Sequence, residues 1–176
     1  MQLQDKYRIA LLAAYAIGLH SFESLLPSPV PWLKLGLANI ITLVTLLLYG
    51  MRTAIAVTLI RVILVSLFTG TFLGPAFILS LGGGITSTVT MGFIFSAAPR
   101  LFSAIGLSII GAFFHNIVQL TLAYFLFVQR IEAILLITPV IILLGTLTGT
   151  VNGAVSDLLM KSLKISGQKI QNVNEN

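Results

Sequence analysis

Residues 52–69 read RTAIAVTLIRVILVSLFT, an apolar run with one cation near its middle, Arg61. A helix needs about 20 mostly apolar residues to cross a bilayer, so this stretch reads as a transmembrane span. An arginine at that depth costs at least about 2.5 to 3.5 kcal/mol even on the lenient insertion scale. It needs a partner inside the membrane.

Five further stretches of the same kind flank it, at about 8–26, 33–50, 73–97, 102–128 and 133–160. The 176 residues are 57% hydrophobic and 9% charged, and the mean hydropathy is +1.04. A water-soluble domain of that composition lacks the polar surface to cover itself. The expected architecture is an all-α, polytopic membrane protein, a bundle of six transmembrane helices. Residues 1–164 form one domain and 165–176 a polar cytoplasmic tail, which leaves no length for a soluble catalytic unit.

The first stretch follows Lys6 and Arg8 as a secretory signal would, but His20 and Glu23 interrupt it and no small-residue cleavage site follows. It reads as a retained helix. With the amino terminus inside, Lys6, Arg8, Arg52, Arg100, Lys161, Lys164 and Lys169 all fall on the cytoplasmic side. That asymmetry places both termini in the cytoplasm of a multi-pass cell-membrane protein. It also accounts for the net charge of +5 without invoking nucleic acid. The chain has no cysteine, so disulfides and thiolate metal sites are excluded. No metal or cofactor motif is present.

Two clusters of small residues stand out. Ala10, Ala14 and Gly18 recur every four residues on the first helix, a small-xxx-small stripe that lets another helix approach closely. The stripe serves either packing within the bundle or docking of a separate membrane protein. Gly82, Gly83 and Gly84 fall in mid-membrane on the fourth helix. Each weakens a helix by roughly 1 kcal/mol relative to alanine, so either a neighbouring helix crosses there or the backbone faces a ligand cavity.

Polar residues inside the apolar runs are the candidate site. Glu23 is the obvious ionic partner for Arg61, in which case the pair is structural. His115 and Gln119 lie one turn apart on the fifth helix with Asn116 beside them, and together predict one polar, inward-facing stripe. They either bond other helices or line a pocket for a polar head group. Trp32 follows the stiff segment Pro27-Ser28-Pro29-Val30-Pro31 and sits where aromatic side chains anchor at the interface; Lys34 beside it snorkels outward or faces the ligand. Lys34, Arg61 and His115 give the interior a positive character suited to an anion, particularly a phosphate. On the sixth helix Asn152 is a further candidate, whereas Asp157 is expected to pair at the surface with Lys161 one turn away.

Several of these residues fall in ordered segments: Pro31-Trp32-Leu33-Lys34-Leu35-Gly36-Leu37-Ala38-Asn39-Ile40, then Arg61, Gly74-Pro75-Ala76-Phe77, Gly82-Gly83-Gly84, and Gly111 with His115-Asn116 and Gln119. Over nearly the whole chain this series resembles the family labelled heptaprenyl diphosphate synthase component I, also called the Gx transporter family. The six helices, the helix 1 stripe and the Trp-Leu-Lys-Leu entry to helix 2 also look like the S components of energy-coupling factor (ECF) transporters.

That resemblance implies a membrane-embedded binding subunit, open to the outside, docked through Ala10, Ala14 and Gly18 on a transmembrane coupling protein driven by two cytoplasmic ATPases. Many S components carry acids after Trp-Leu-Lys-Leu where this chain has Gly36 and Asn39, so a different ligand is implied. The ligand-binding candidates are therefore Glu23, Trp32, Lys34, Asn39, Arg61, His115, Asn116, Gln119 and Asn152.

Catalysis by this chain alone is not expected. Prenyl diphosphate synthases hold magnesium and the diphosphate with aspartate-rich clusters, because hard cations need several carboxylate oxygens. Only Asp5 and Asp157 are present, at opposite ends. Two functions stay open. One is a transporter subunit for a small anionic, isoprenoid, quinone or flavin-related compound. The other is a non-catalytic membrane partner of a soluble prenyl diphosphate synthase subunit or a redox assembly.

Overall fold

The computed structural model describes residues 3–25, 39–99 and 101–174. Trp32 and Lys34 lie outside the described residues, as do the side chains of His20 and Glu23, although the backbone at these last two is helical. Six helices follow in order: α1 (Leu3–Leu25), α2 (Asn39–Tyr49), α3 (Met51–Phe68), α4 (Pro75–Ala97), α5 (Ala104–Ala123, continued by a π-helical turn Tyr124–Val128) and α6 (Ile131–Asn174). Among the described residues there is no β-strand. The protein is an all-helical, multi-pass membrane protein.

Local signals set several boundaries. Pro75 occupies the first turn of α4, where its missing N–H leaves no extra unpaired group. Ser103 caps α5 by accepting from the Gly106 N–H at 3.2 Å. Gly50 alone separates α2 from α3 and holds a φ of 81°, a backbone conformation that side chains other than glycine's resist. The chain therefore reverses there within one residue.

Four helices are long and apolar enough to cross a membrane among the described residues: Met51–Phe68, Pro75–Ala97, Ala104–Val128 and Ile131–Ser162. The described apolar parts of the other two are shorter, Ala10–Leu19 and Asn39–Tyr49. At 1.5 Å per residue, α2 spans about 16 Å, roughly half the hydrocarbon thickness. Its environment compensates for its length. Ile40 through Leu46 are buried without interruption, so α2 is enclosed on every side.

The neighbours of α2 explain this enclosure. It packs against α1, α3, α4, α5 and α6, while the outer helices touch in the order α1, α3, α4, α5, α6. Among the described residues the backbones of α3 and α5 do not approach each other closely. The apolar core gathers Leu43, Leu46, Ala54, Met91 and Leu107 from four helices, and Ala16 of α1 packs with Ile41 and Val57.

Candidate functional site

The glycine triplet is the pivot of the polar interior. Helix α4 runs unbroken through Gly82, Gly83 and Gly84, and neighbouring helices cross close on two sides. A Cβ at Gly82 would lie 2.6 Å from Leu122 Cδ1, and one at Gly83 would lie 2.9 Å from the His115 ring and 3.1 Å from Gln119 Cγ. On the other side, a Cβ at Gly84 would lie 3.1 Å from the Thr58 methyl and 3.6 Å from Arg61 Nη2. Of the two uses open to the glycines, close helix crossing accounts for all three. They bring Arg61 of α3 and His115 of α5 onto successive residues of one thin wall.

Arg61 is buried at 3% exposure. Its Nη1 and Nη2 both donate to Asn39 Oδ1 at 3.5 Å, contacts long enough to be weak individually. Asn39 is the first residue of α2, so the buried cation rests on the entry to the enclosed helix. One turn from Arg61, Thr58 joins a chain of hydroxyls: Thr58 and Thr88 Oγ1 are 3.1 Å apart, and Thr42 and Thr58 Oγ1 are 3.4 Å apart. Thr88 donates onward to the Gly84 carbonyl at 2.8 Å. This hydroxyl chain links α2, α3 and α4 and was not among the sequence candidates. Threonines are common in membrane helices, where they bond their own backbone, so nothing in the sequence distinguished these three.

The expected polar stripe on α5 divides in two. His115 and Gln119 face α4 at Gly83, whereas Asn116 faces α6, donating to the Ile141 carbonyl at 3.3 Å and lying under Gly145. One residue along a helix is a rotation of about 100°, enough to put neighbours against different helices. Asn152 of α6 is buried at 3%. Thus Arg61, His115 and Gln119 face the glycine wall, with Asn39 bonded to Arg61, while Asn116 serves the α5–α6 contact. Asp157 and Lys161 form the expected pair, at 2.7 Å and well exposed.

A second signal escaped the sequence reading although it was legible there. Gly145, Gly149 and Gly153 recur every four residues on α6 and pack on α5. A Cβ at Gly153 would lie 2.5 Å from Ile105 Cα, and one at Gly149 would lie 3.1 Å from Ile109 Cα. By contrast, Ala10, Ala14 and Gly18 of α1 are all exposed, and nothing lies within 4 Å of a Cβ built on Gly18. The buried face of α1 is carried by Ala13 and Ala16.

Near the carboxyl end of α3, Ser66, Thr71, Phe77 and Ser80 line a cleft of about 10 Å³, room for roughly one water. Among the described residues no three of His, Asp and Glu gather closely enough to hold a metal ion.

Comparison with known proteins places this geometry in a family. The family model for heptaprenyl diphosphate synthase component I matches residues 12–159. The chain belongs to that family. It is also similar in structure to the S component of a bacterial ECF transporter, with a TM-score of 0.71 and 22% sequence identity over 93% of this chain and 97% of that one. No curated protein matches.

Proposed function

We propose that this protein is a membrane-embedded substrate-binding subunit of a transporter, taking a small anionic, isoprenoid, quinone or flavin-related compound. The observation that carries the proposal is the buried Arg61, held by Asn39 and set beside His115 on the neighbouring glycines Gly84 and Gly83, within a fold shared with an ECF S component. A guanidinium presents several fixed donors suited to carboxylate or phosphate oxygens. An anionic cargo at this wall would meet Arg61 at Gly84 and His115 at Gly83. Glu23 near the end of α1, and Trp32 and Lys34 between α1 and α2 in sequence, are further candidates for that site, as are Gln119 and Asn152.

In this proposal both termini are cytoplasmic and the protein resides in the cell membrane. The exposed face carrying Ala10, Ala14 and Gly18 would dock a transmembrane coupling protein, itself driven by ATPase subunits. The family description favours a second function, a non-catalytic membrane component held to a soluble prenyl diphosphate synthase subunit. Native mass spectrometry of the protein from its own membranes separates the two. A retained anionic compound with ATPase subunits supports transport; a stoichiometric synthase with no small molecule overturns it.

Arg61→Gln gives the residue-level test. Under the transport proposal the retained compound is lost while folded yield is preserved. If Arg61 is instead half of a structural ion pair, Arg61→Gln and Glu23→Gln both lower folded yield, and that result removes Arg61 from the binding site.

A further inference from the structure

The cleft near the carboxyl end of α3 is held open by the backbone around it. The Thr71 N–H donates to the Ser66 carbonyl at 2.9 Å and the Gly74 N–H to the Thr71 carbonyl at 2.9 Å, which pins the connection from α3 to α4. The Phe72 and Phe77 rings pack 5.0 Å apart and brace that connection against α4. Polar atoms make up most of the cleft wall. A polar space of about 10 Å³ is what one water or hydroxyl requires, together with about two to four hydrogen-bonding partners. Ser87 Oγ is also buried without a partner among the described residues, but it packs on Gly111, where a Cβ would already lie 2.9 Å from it. The cleft, unlike that seam, has both the space and the polar groups.

The hydroxyls of the cleft differ in what they have left to offer. Ser66, 4% exposed, commits its proton to the Ile63 carbonyl at 2.8 Å, so its oxygen can only accept. Ser80 is half-buried and takes part in no hydrogen bond among the described residues, so it can donate or accept. We propose that the cleft is a binding site for a single hydroxyl, which donates to Ser66 Oγ and accepts from Ser80 Oγ. Water and a hydroxyl of a bound compound both have that chemistry. A hydrocarbon tail has neither donor nor acceptor, and an ionised phosphate oxygen has no proton for Ser66.

The cleft lies close to the buried cation. Val62 lines it and also lies 4.0 Å from a Cβ at Gly84, whose neighbours include Arg61 Nη2. Ser80 precedes Gly84 by four residues, about 6 Å along α4. Where the hydroxyl belongs to cargo, a part of the proposal that rests on the transport reading, the cargo is narrowed. It is an anion carrying a hydroxyl about one helical turn from its charge.

Ala76 also lines the cleft, and its methyl group is the reporter. Protein labelled with carbon-13 at alanine methyls is placed in lipid nanodiscs, and Ala76→Gly assigns the resonance. The site requires a cross-peak from this methyl, either to water with the sign of a long-lived contact or to a proton on the hydroxyl-bearing carbon of a retained compound. The first identifies the occupant as water and the second as cargo. Ser80→Ala and Ser66→Ala, at parental folded yield, must each lose that cross-peak; should one fold poorly, the other decides. In folded Arg61→Gln protein, which sheds its cargo under the transport proposal, water must occupy the cleft, so the site is judged even where transport fails. Absence of both cross-peaks, or a cross-peak that survives the serine variants, overturns the site. Added inorganic phosphate must leave the cross-peak in place. Its loss to phosphate would make the cleft an anion site at the amino end of α4 and overturns the hydroxyl equally.

Discussion

Two stripes of small residues with the same four-residue spacing are used in opposite ways. Gly145, Gly149 and Gly153 on α6 are packed so closely on α5 that a methyl group at Gly153 would meet the Ile105 backbone. Ala10, Ala14 and Gly18 on α1 line an exposed face, next to Tyr7, Leu11 and Tyr15. The spacing permits close approach, but only the rest of the bundle determines whether a helix of the same chain makes it. On α1 the inward task falls to Ala13 and Ala16, leaving the stripe for lipid or for another protein.

Substitution should break the α6 stripe and spare the α1 stripe. The largest effect is expected from Gly153→Leu, because the atom in the way is backbone and cannot rotate aside. Overpacking of that kind costs about 1–3 kcal/mol or more, so the monodisperse folded fraction in detergent should collapse. Next, Ala14→Leu on the exposed face should leave thermal stability within about 0.5 kcal/mol of the parent. If the stripe docks a coupling protein, the same variant should lose copurifying partner subunits while keeping its bound compound. Loss of the compound with partners retained would instead tie α1 to the binding site. Smallest is Gly18→Ala, which meets no neighbour and should stabilise the helix by up to about 1 kcal/mol, read as a higher unfolding temperature. Destabilisation by Gly18→Ala would mean that the α1 face is covered after all.

How far the sequence reached differs between elements for physical reasons. Helices α3 and α4 were expected at 52–69 and 73–97 and occur at Met51–Phe68 and Pro75–Ala97, because an unbroken apolar run, a proline and glycines mark their ends. The instability of bare glycines in a helix left a close neighbour and a ligand cavity both open at the triplet, and the neighbours are what the structure shows. What the linear pattern could not supply was rotation. His115 and Asn116 read as one stripe because both are polar, yet they face α4 and α6 respectively. Ser87 drew no notice within Ile85-Thr86-Ser87-Thr88, since a serine in a threonine-rich run differs from its neighbours only by what it faces.

The enclosure of α2 bears on how the chain is made. Its threonines at 42 and 45 are fully buried, and the Ile40 carbonyl accepts from Ser156 Oγ at 3.3 Å, 116 residues later. Synthesis delivers α2 to the membrane before α4, α5 and α6 exist. Until α4 arrives, Thr58 lacks its bond to Thr88, and until α6 arrives, one wall of α2 faces lipid. The second helix is thus the centre of the finished bundle but an early and incomplete intermediate during biogenesis. Assembly closes around it from the carboxyl-terminal half, so a ribosome stalled before α6 would leave a membrane-inserted chain with its innermost helix uncovered.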